Sequence, residues 1–110
     1  MEVAYDDPKL EALLGDERAL RKGFGAPIAG RLGIRFSAIN AASSLAELHR
    51  LPGRTHPLKG NRSGQYAMEL PQGFRLIIRP TDPVPTLQDG GIDINSVTRV
   101  TVVEISKHYS

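Results

Sequence analysis

The sequence has no cysteine, no tryptophan, and only three tyrosines and three phenylalanines among 110 residues. Without cysteine there is no disulfide framework, no thiol nucleophile and no thiolate metal site, a composition suited to a reducing compartment. So few aromatics argue against a broad platform for stacking bases. No apolar run approaches the roughly 18 residues needed to cross a bilayer. Met1-Glu2-Val3 leads into an acidic stretch, not the basic start and apolar run of a signal peptide. A cytoplasmic protein with no membrane association is therefore expected.

Chemical motifs are scarce too. The histidines stand at 49, 56 and 108 without HxH or HExxH spacing. Asp89-Gly90-Gly91-Ile92-Asp93-Ile94-Asn95 lacks the glycine position and closing glutamate of a calcium loop. Gly23-Phe24-Gly25 is not followed by the Gly-Lys-Ser/Thr of a phosphate loop, and no Gly-x-Ser-x-Gly occurs. No metal site and no cofactor are expected.

What is present is an ordinary globular composition, 40% hydrophobic and 24% charged, long enough for one domain over residues 1–110. The net charge of +2 is unevenly placed. Residues 50–79 carry Arg50, Arg54, Lys59, Arg62, Arg75 and Arg79 against Glu69 alone, a net of +5, so the remaining 80 residues sum to −3. Such a concentration suits a polyanion such as nucleic acid, and equally a solvated basic face.

Hydrophobic spacing gives the order of elements. Val3-Ala4-Tyr5 is a short β-prone opening. Asp7-Pro8 predicts a helix start, with Leu10, Leu13 and Leu14 on one face. A second helix is expected from Asp16-Glu17 to Arg21-Lys22. A third follows Pro27, with Ile28, Leu32, Phe36 and Ile39 at helical spacing and with Gly30 and Gly33 suggesting close packing on a sheet. Ser44-Leu45-Ala46-Glu47 has capping-box spacing. The period then changes to two: residues 65–70 and Phe74–Arg79 form a hairpin around Pro71-Gln72-Gly73, and Val100–Ile105 is the last strong strand. The class is α+β, N-terminal helices packed on a twisted antiparallel sheet.

Between the helical and strand halves, His56-Pro57-Leu58-Lys59-Gly60-Asn61-Arg62-Ser63-Gly64-Gln65-Tyr66 places an imidazole, an ammonium and a guanidinium within seven residues, near two glycines. These groups suit metal-free phosphodiester cleavage: an imidazole or phenol moves protons while Arg and Lys hold the charge on phosphorus. RNA supplies the nucleophile, its 2′-OH. A polar loop without chemistry has the same composition.

This string, with Phe74-Arg75-Leu76-Ile77 and Val103-Glu104-Ile105, resembles the HigB-like branch of the RelE/ParE toxin superfamily. The likeness continues through Asp82-Pro83-Val84-Pro85, Asp89–Asp93, Val97-Thr98 and the helical half from Leu10 to Leu51-Pro52-Gly53. It implies a RelE-like, microbial-ribonuclease-like fold and a type II toxin that cleaves mRNA on the ribosome without metal. It also implies a cognate helix-turn-helix, HigA-like antitoxin, through which alone operator DNA would be contacted.

Carried over by residue, the resemblance makes His56 the proton donor or acceptor, against a loop histidine bonded to backbone. Lys59 and Arg62 become phosphate-binding groups, with Arg54 and Arg79 in the same basic set, against an exposed basic turn. Arg75 becomes the strand arginine that stabilises the transition state, against a partner of Glu69 across the hairpin. The terminus departs from the pattern: where HigB-like chains commonly end in Asp-Tyr-His, this one has Lys107-His108-Tyr109. His108 and Tyr109 are further proton-transfer candidates, against a frayed tail. Two other functions fit the same fold: a ParE-like toxin that blocks DNA gyrase and cleaves nothing, and an inactive homologue serving as an antitoxin-binding co-repressor.

Overall fold

Among the described residues, three of the four α-helices begin at side chains that satisfy their first amides. Asp7 accepts from the Lys9 N–H at 2.8 Å and starts α1 (Pro8–Leu14), with Pro8 where no N–H is needed. Asp16 accepts from Ala19 N–H at 3.1 Å and starts α2 (Glu17–Phe24). Ser44 accepts from Glu47 N–H at 3.1 Å and starts α4 (Leu45–Arg50). The capping box is only half formed there, because the Glu47 carboxylate bonds the Ser43 hydroxyl instead. The long helix α3 (Ala26–Ala41) has no side-chain cap and follows Gly25, whose φ of 90° turns the chain out of α2. The computed structural model describes residues 1–107.

Five strands form one sheet in the order β1-β5-β4-β3-β2: β1 (Glu2–Tyr5), β2 (His56–Pro57), β3 (Tyr66–Glu69), β4 (Phe74–Pro80) and β5 (Arg99–Lys107). The helices-on-sheet expectation holds, with a refinement at one edge. β1 lies parallel to β5, whereas every other pair is antiparallel. A hairpin turn can only produce antiparallel neighbours, but β1 and β5 are separated by the whole helical layer, which leaves the parallel direction open.

The helix-covered face of the sheet carries the core. Met68, Leu76, Ile78, Val100 and Val102 are buried with Ile28, Leu32 and Ile39 of α3 and with Leu45 and Leu48 of α4. Each such side chain contributes about 1.5–3 kcal/mol through removal from water. Gly30 and Gly33 do not pack against the sheet as expected. A Cβ at either would meet nothing within 4 Å, and both line a shallow groove with Leu14, Leu20 and Phe36 on the helical side.

The opposite face positions the candidate site. Register aligns His56, Ala67, Ile77 and Glu104 in one row and Glu69, Arg75 and Ser106 in the next. Strict alternation from Val100 and Val102 would turn Glu104 into the core. A register shift leaves Val103 without a partner, so that Ile78 pairs with Val102 while Ile77 pairs with Glu104. This β-bulge swings Glu104 to the open face and Ile105 toward the core. The connection between β4 and β5 is tied to α4, whose first amides, Leu45 and Ala46, donate to the carbonyls of Val97 and Ile94 at 3.0 Å each.

Candidate active site

A cavity of about 920 Å³ opens at the end of the hairpin, where β2 runs beside β3 and the Pro71–Gly73 turn leads into β4. It is lined by His56, Lys59, Arg54 and Arg75, four of the residues singled out from sequence, together with Glu69 and Phe74. Three basic side chains thus line the cavity with one carboxylate, a balance that favours an anionic ligand.

The imidazole is oriented by its own loop. Arg54 has the left-handed φ of 52°, rare outside glycine, and its carbonyl accepts a hydrogen bond from His56 Nδ1 at 2.7 Å. A carbonyl can only accept, so Nδ1 carries the proton and the neutral ring keeps its lone pair on Nε2. The backbone-bonded histidine and the proton acceptor are therefore compatible descriptions of one residue.

Arg75 is half-buried, and its Nε is buried with no hydrogen-bond partner among the described residues. Glu69 stands opposite it in the sheet register, but the carboxylate lies 3.3 Å from Arg54 Nη1. The cross-hairpin partner considered for Arg75 is thus directed to another cation. Thr55, only 6% exposed, has a similarly unpaired hydroxyl beside the cavity.

Two of the basic candidates lie elsewhere. Arg62 ion-pairs with Glu104 and donates to Gln65 Oε1 at 2.8 Å, which ties the 58–65 loop to the Ala67–Ile77–Glu104 row. Arg79 is at the far end of β4, 2.7 Å from Asp6 and 3.6 Å from Asp82. The hydrogen bond to Asp6 holds its guanidinium above the ordinary arginine pKa, a cation already matched by its own fold. In the fold both cations already hold a carboxylate partner. Gly60 and Gly64, with φ of 66° and 90°, shape the 3-10 turn around Gly60–Arg62 rather than lining the cavity. His108 and Tyr109 lie outside the described residues; the described chain reaches the cavity edge at Lys107, whose ammonium sits 5.4 Å from the Phe74 ring centre.

Sequence reasoning did not single out Arg35. It is 6% exposed on α3, donates from Nε to the Glu69 carbonyl at 2.8 Å, and lies beneath Gly53. The signal was available, since position 35 falls on the Ile28–Leu32–Ile39 stripe. Among the described residues no three His, Asp or Glu side chains are grouped to hold a metal ion.

No protein-family model matches the chain. In sequence it is similar to an Endoribonuclease HigB of Proteus vulgaris, 32% identical over 60 residues. That alignment covers 54% of this chain and spans 65% of the relative's own length. In structure it is similar to a YoeB dimer from Staphylococcus aureus, with a TM-score of 0.58, 14% identity and coverage of 99% of this chain and 98% of that one. A YoeB/ParE toxin from Agrobacterium tumefaciens gives 0.56 at 15% identity, covering 99% and 100%. A YoeB-YefM complex from Staphylococcus aureus gives 0.59 at 13%, covering 99% and 98%. The fold is that of the YoeB toxins and the sequence likeness is to HigB, so the resemblance to RelE/ParE toxins read from the sequence holds.

Proposed function

We propose that this chain is the toxin of a toxin–antitoxin pair and an endoribonuclease that cleaves mRNA on the ribosome. The observation that carries the reading is the single cavity in which His56, with Nε2 available, faces Arg75, Lys59 and Arg54. His56 Nε2 takes the proton of the 2′-OH, whose oxygen attacks the adjacent phosphorus. Arg75 and Lys59 bind the non-bridging oxygens as charge accumulates, and Arg54 adds field from the rim. The P–O5′ bond breaks, and protonation of the leaving oxygen is assigned to Tyr109 or His108. The products are a 2′,3′-cyclic phosphate and a 5′-hydroxyl.

The chemistry needs no metal, because RNA carries the nucleophile and the cavity carries the cations. Cleavage should persist in excess EDTA on ribosomes stabilised beforehand; activity that vanished with chelator and returned with magnesium would contradict the mechanism. A helix-turn-helix antitoxin of the HigA type is the proposed partner, in a cytoplasmic setting. The solved YoeB-YefM complexes support an antitoxin partner in general.

The deciding experiment is expression without a partner, followed by mapping of message 5′ ends. New ends inside translated messages are expected. Intact messages with the signature of poisoned gyrase would replace this reading with the ParE-like one, and normal growth would favour the inactive co-repressor.

A further inference from the structure

We propose that Arg35 is a positioning residue that fixes the ring of His56 from beneath, through the Gly53–Arg54 turn, without itself reaching the cavity. Its effect on rate rests on the reading of His56 given above; its effect on the ring does not.

A charged side chain on the buried stripe of a helix needs a reason, since an apolar residue of similar length would occupy the same space at lower desolvation cost. The reason is visible in three linked contacts. Arg35 Nε donates to the Glu69 carbonyl at 2.8 Å, and the Glu69 N–H donates to the Gly53 carbonyl at 2.9 Å. Gly53 has a φ of 130°, and a Cβ there would lie 3.2 Å from Cδ, Nε and Cζ of Arg35, so the guanidinium end of the side chain is packed against this glycine. The next residue is Arg54, held at a φ of 52°, and its carbonyl receives the His56 Nδ1 proton. Arg35 thus joins α3 to the end of β3 and to the start of the turn that selects the His56 tautomer. Burial and the neighbouring Arg31 both push the Arg35 guanidinium below its ordinary pKa, while Glu69 opposes them.

With the guanidinium removed, the Glu69 carbonyl loses a donor and the space under Gly53 opens. The turn relaxes, the Arg54 carbonyl leaves the line of Nδ1, and the ring samples both tautomers. Half-occupied or misaligned Nε2 costs reaction rate: displacement of a reacting group by about 1 Å is worth roughly a hundredfold.

The test uses the full chain labelled with ¹⁵N-histidine, read by long-range ¹H–¹⁵N correlation at a pH where His56 is neutral. In the parent protein Nδ1 should show the protonated-nitrogen shift and Nε2 the lone-pair shift. In Arg35→Met the two shifts should move toward each other, with single-turnover cleavage down by about a hundredfold and RNA binding retained. Arg35→Gln keeps an N–H for the Glu69 carbonyl and should recover much of both. A role in stability alone would lower the melting temperature of both variants and leave the ring pattern of the folded protein untouched. Gly53→Ala presses on the same contact from the other side and is read in the same way where Arg35→Met does not fold. Parental shifts in every folded variant, or the opposite tautomer in the parent, would overturn the proposal. Altered shifts in a protein that cleaves no RNA would reject the nuclease reading while leaving this one standing.

Discussion

Arg75 and Arg79 stand four residues apart on β4, on the same face of the sheet, and their surroundings are opposite. Arg79 is matched by two carboxylates, Asp6 after β1 and Asp82 after β4 itself. Arg75 makes no ion pair among the described residues, and its Nε has no hydrogen-bond partner there. One end of the strand uses its arginine to join chain segments; the other holds a cation in a cavity beside an imidazole. A cation without a carboxylate of its own is the more open to a substrate phosphate. Alternation along the strand puts both arginines on one face, and the placement of the acids decides which of them is paired.

The largest expected effect comes from breaking this contrast at the cavity end. Arg75→Ala should lower single-turnover cleavage by about 100- to 1,000-fold, and His56→Ala by about 100- to 10,000-fold, with binding nearly intact. Cleavage by Arg75→Ala at the parental rate would mean that the unpaired arginine is structural and the contrast has no catalytic content.

Lys59 and Arg62 repeat the comparison within one loop, and their alanine variants should separate next. Lys59→Ala should weaken RNA binding and reduce the slope of log affinity against log salt by about 0.7, the share of one single-strand phosphate contact. Arg62→Ala should leave that slope unchanged and instead lower the melting temperature, because Glu104 loses its partner. Equal salt slopes for the two variants would show that Glu104 releases Arg62 to the substrate.

At the other end of β4, Arg79→Ala should cost no more than about 1 kcal/mol of stability, in keeping with a partly exposed ion pair. Cleavage should be unaffected, as measured by melting and by the same single-turnover assay. A rate loss matching that of Arg75→Ala would extend the site along the strand.

The smallest effect belongs to a carboxylate remote from both arginines. Glu47 is held below its usual carboxylate pKa, first by the Ser43 hydroxyl and then by the Ser43 backbone. A lowered folded-state value means that its contribution is present above the ordinary value of 4.5 and is lost as pH falls from there through the lowered one. Glu47→Gln should therefore melt slightly earlier than the parent near neutrality. The two melting curves should converge as the pH drops through that window, and a gap that persisted in acid would assign the effect to packing.

Much of the fold was legible in the residues because the responsible interactions are local. Asp7-Pro8, Asp16 and Ser44 begin helices as their side chains predict, and the hairpin around Pro71-Gln72-Gly73 follows from alternation on either side of it. The short strand at His56–Pro57 was not legible, since two residues carry no period and depend on the β3 edge beside them. The carboxylate partners of Arg62 and Arg79 were not legible either, because an arginine's partner is set by tertiary register.

By itself the sequence determined the helix starts, the apolar stripe of α3, the α+β class and the closeness of His56 and Lys59 in one loop, all consequences of spacing along one chain. Only the tertiary structure decided which charges remain available. It laid β1 parallel to β5, with Asp6 at its end reaching Arg79. It skipped Val103 to turn Glu104 toward Arg62, and it placed Arg35 of a distant helix under the turn that orients His56. The physical reason is that charge neutralisation acts through space over a few ångströms. Glu104 lies 42 residues from Arg62 along the chain, and Asp6 lies 73 from Arg79.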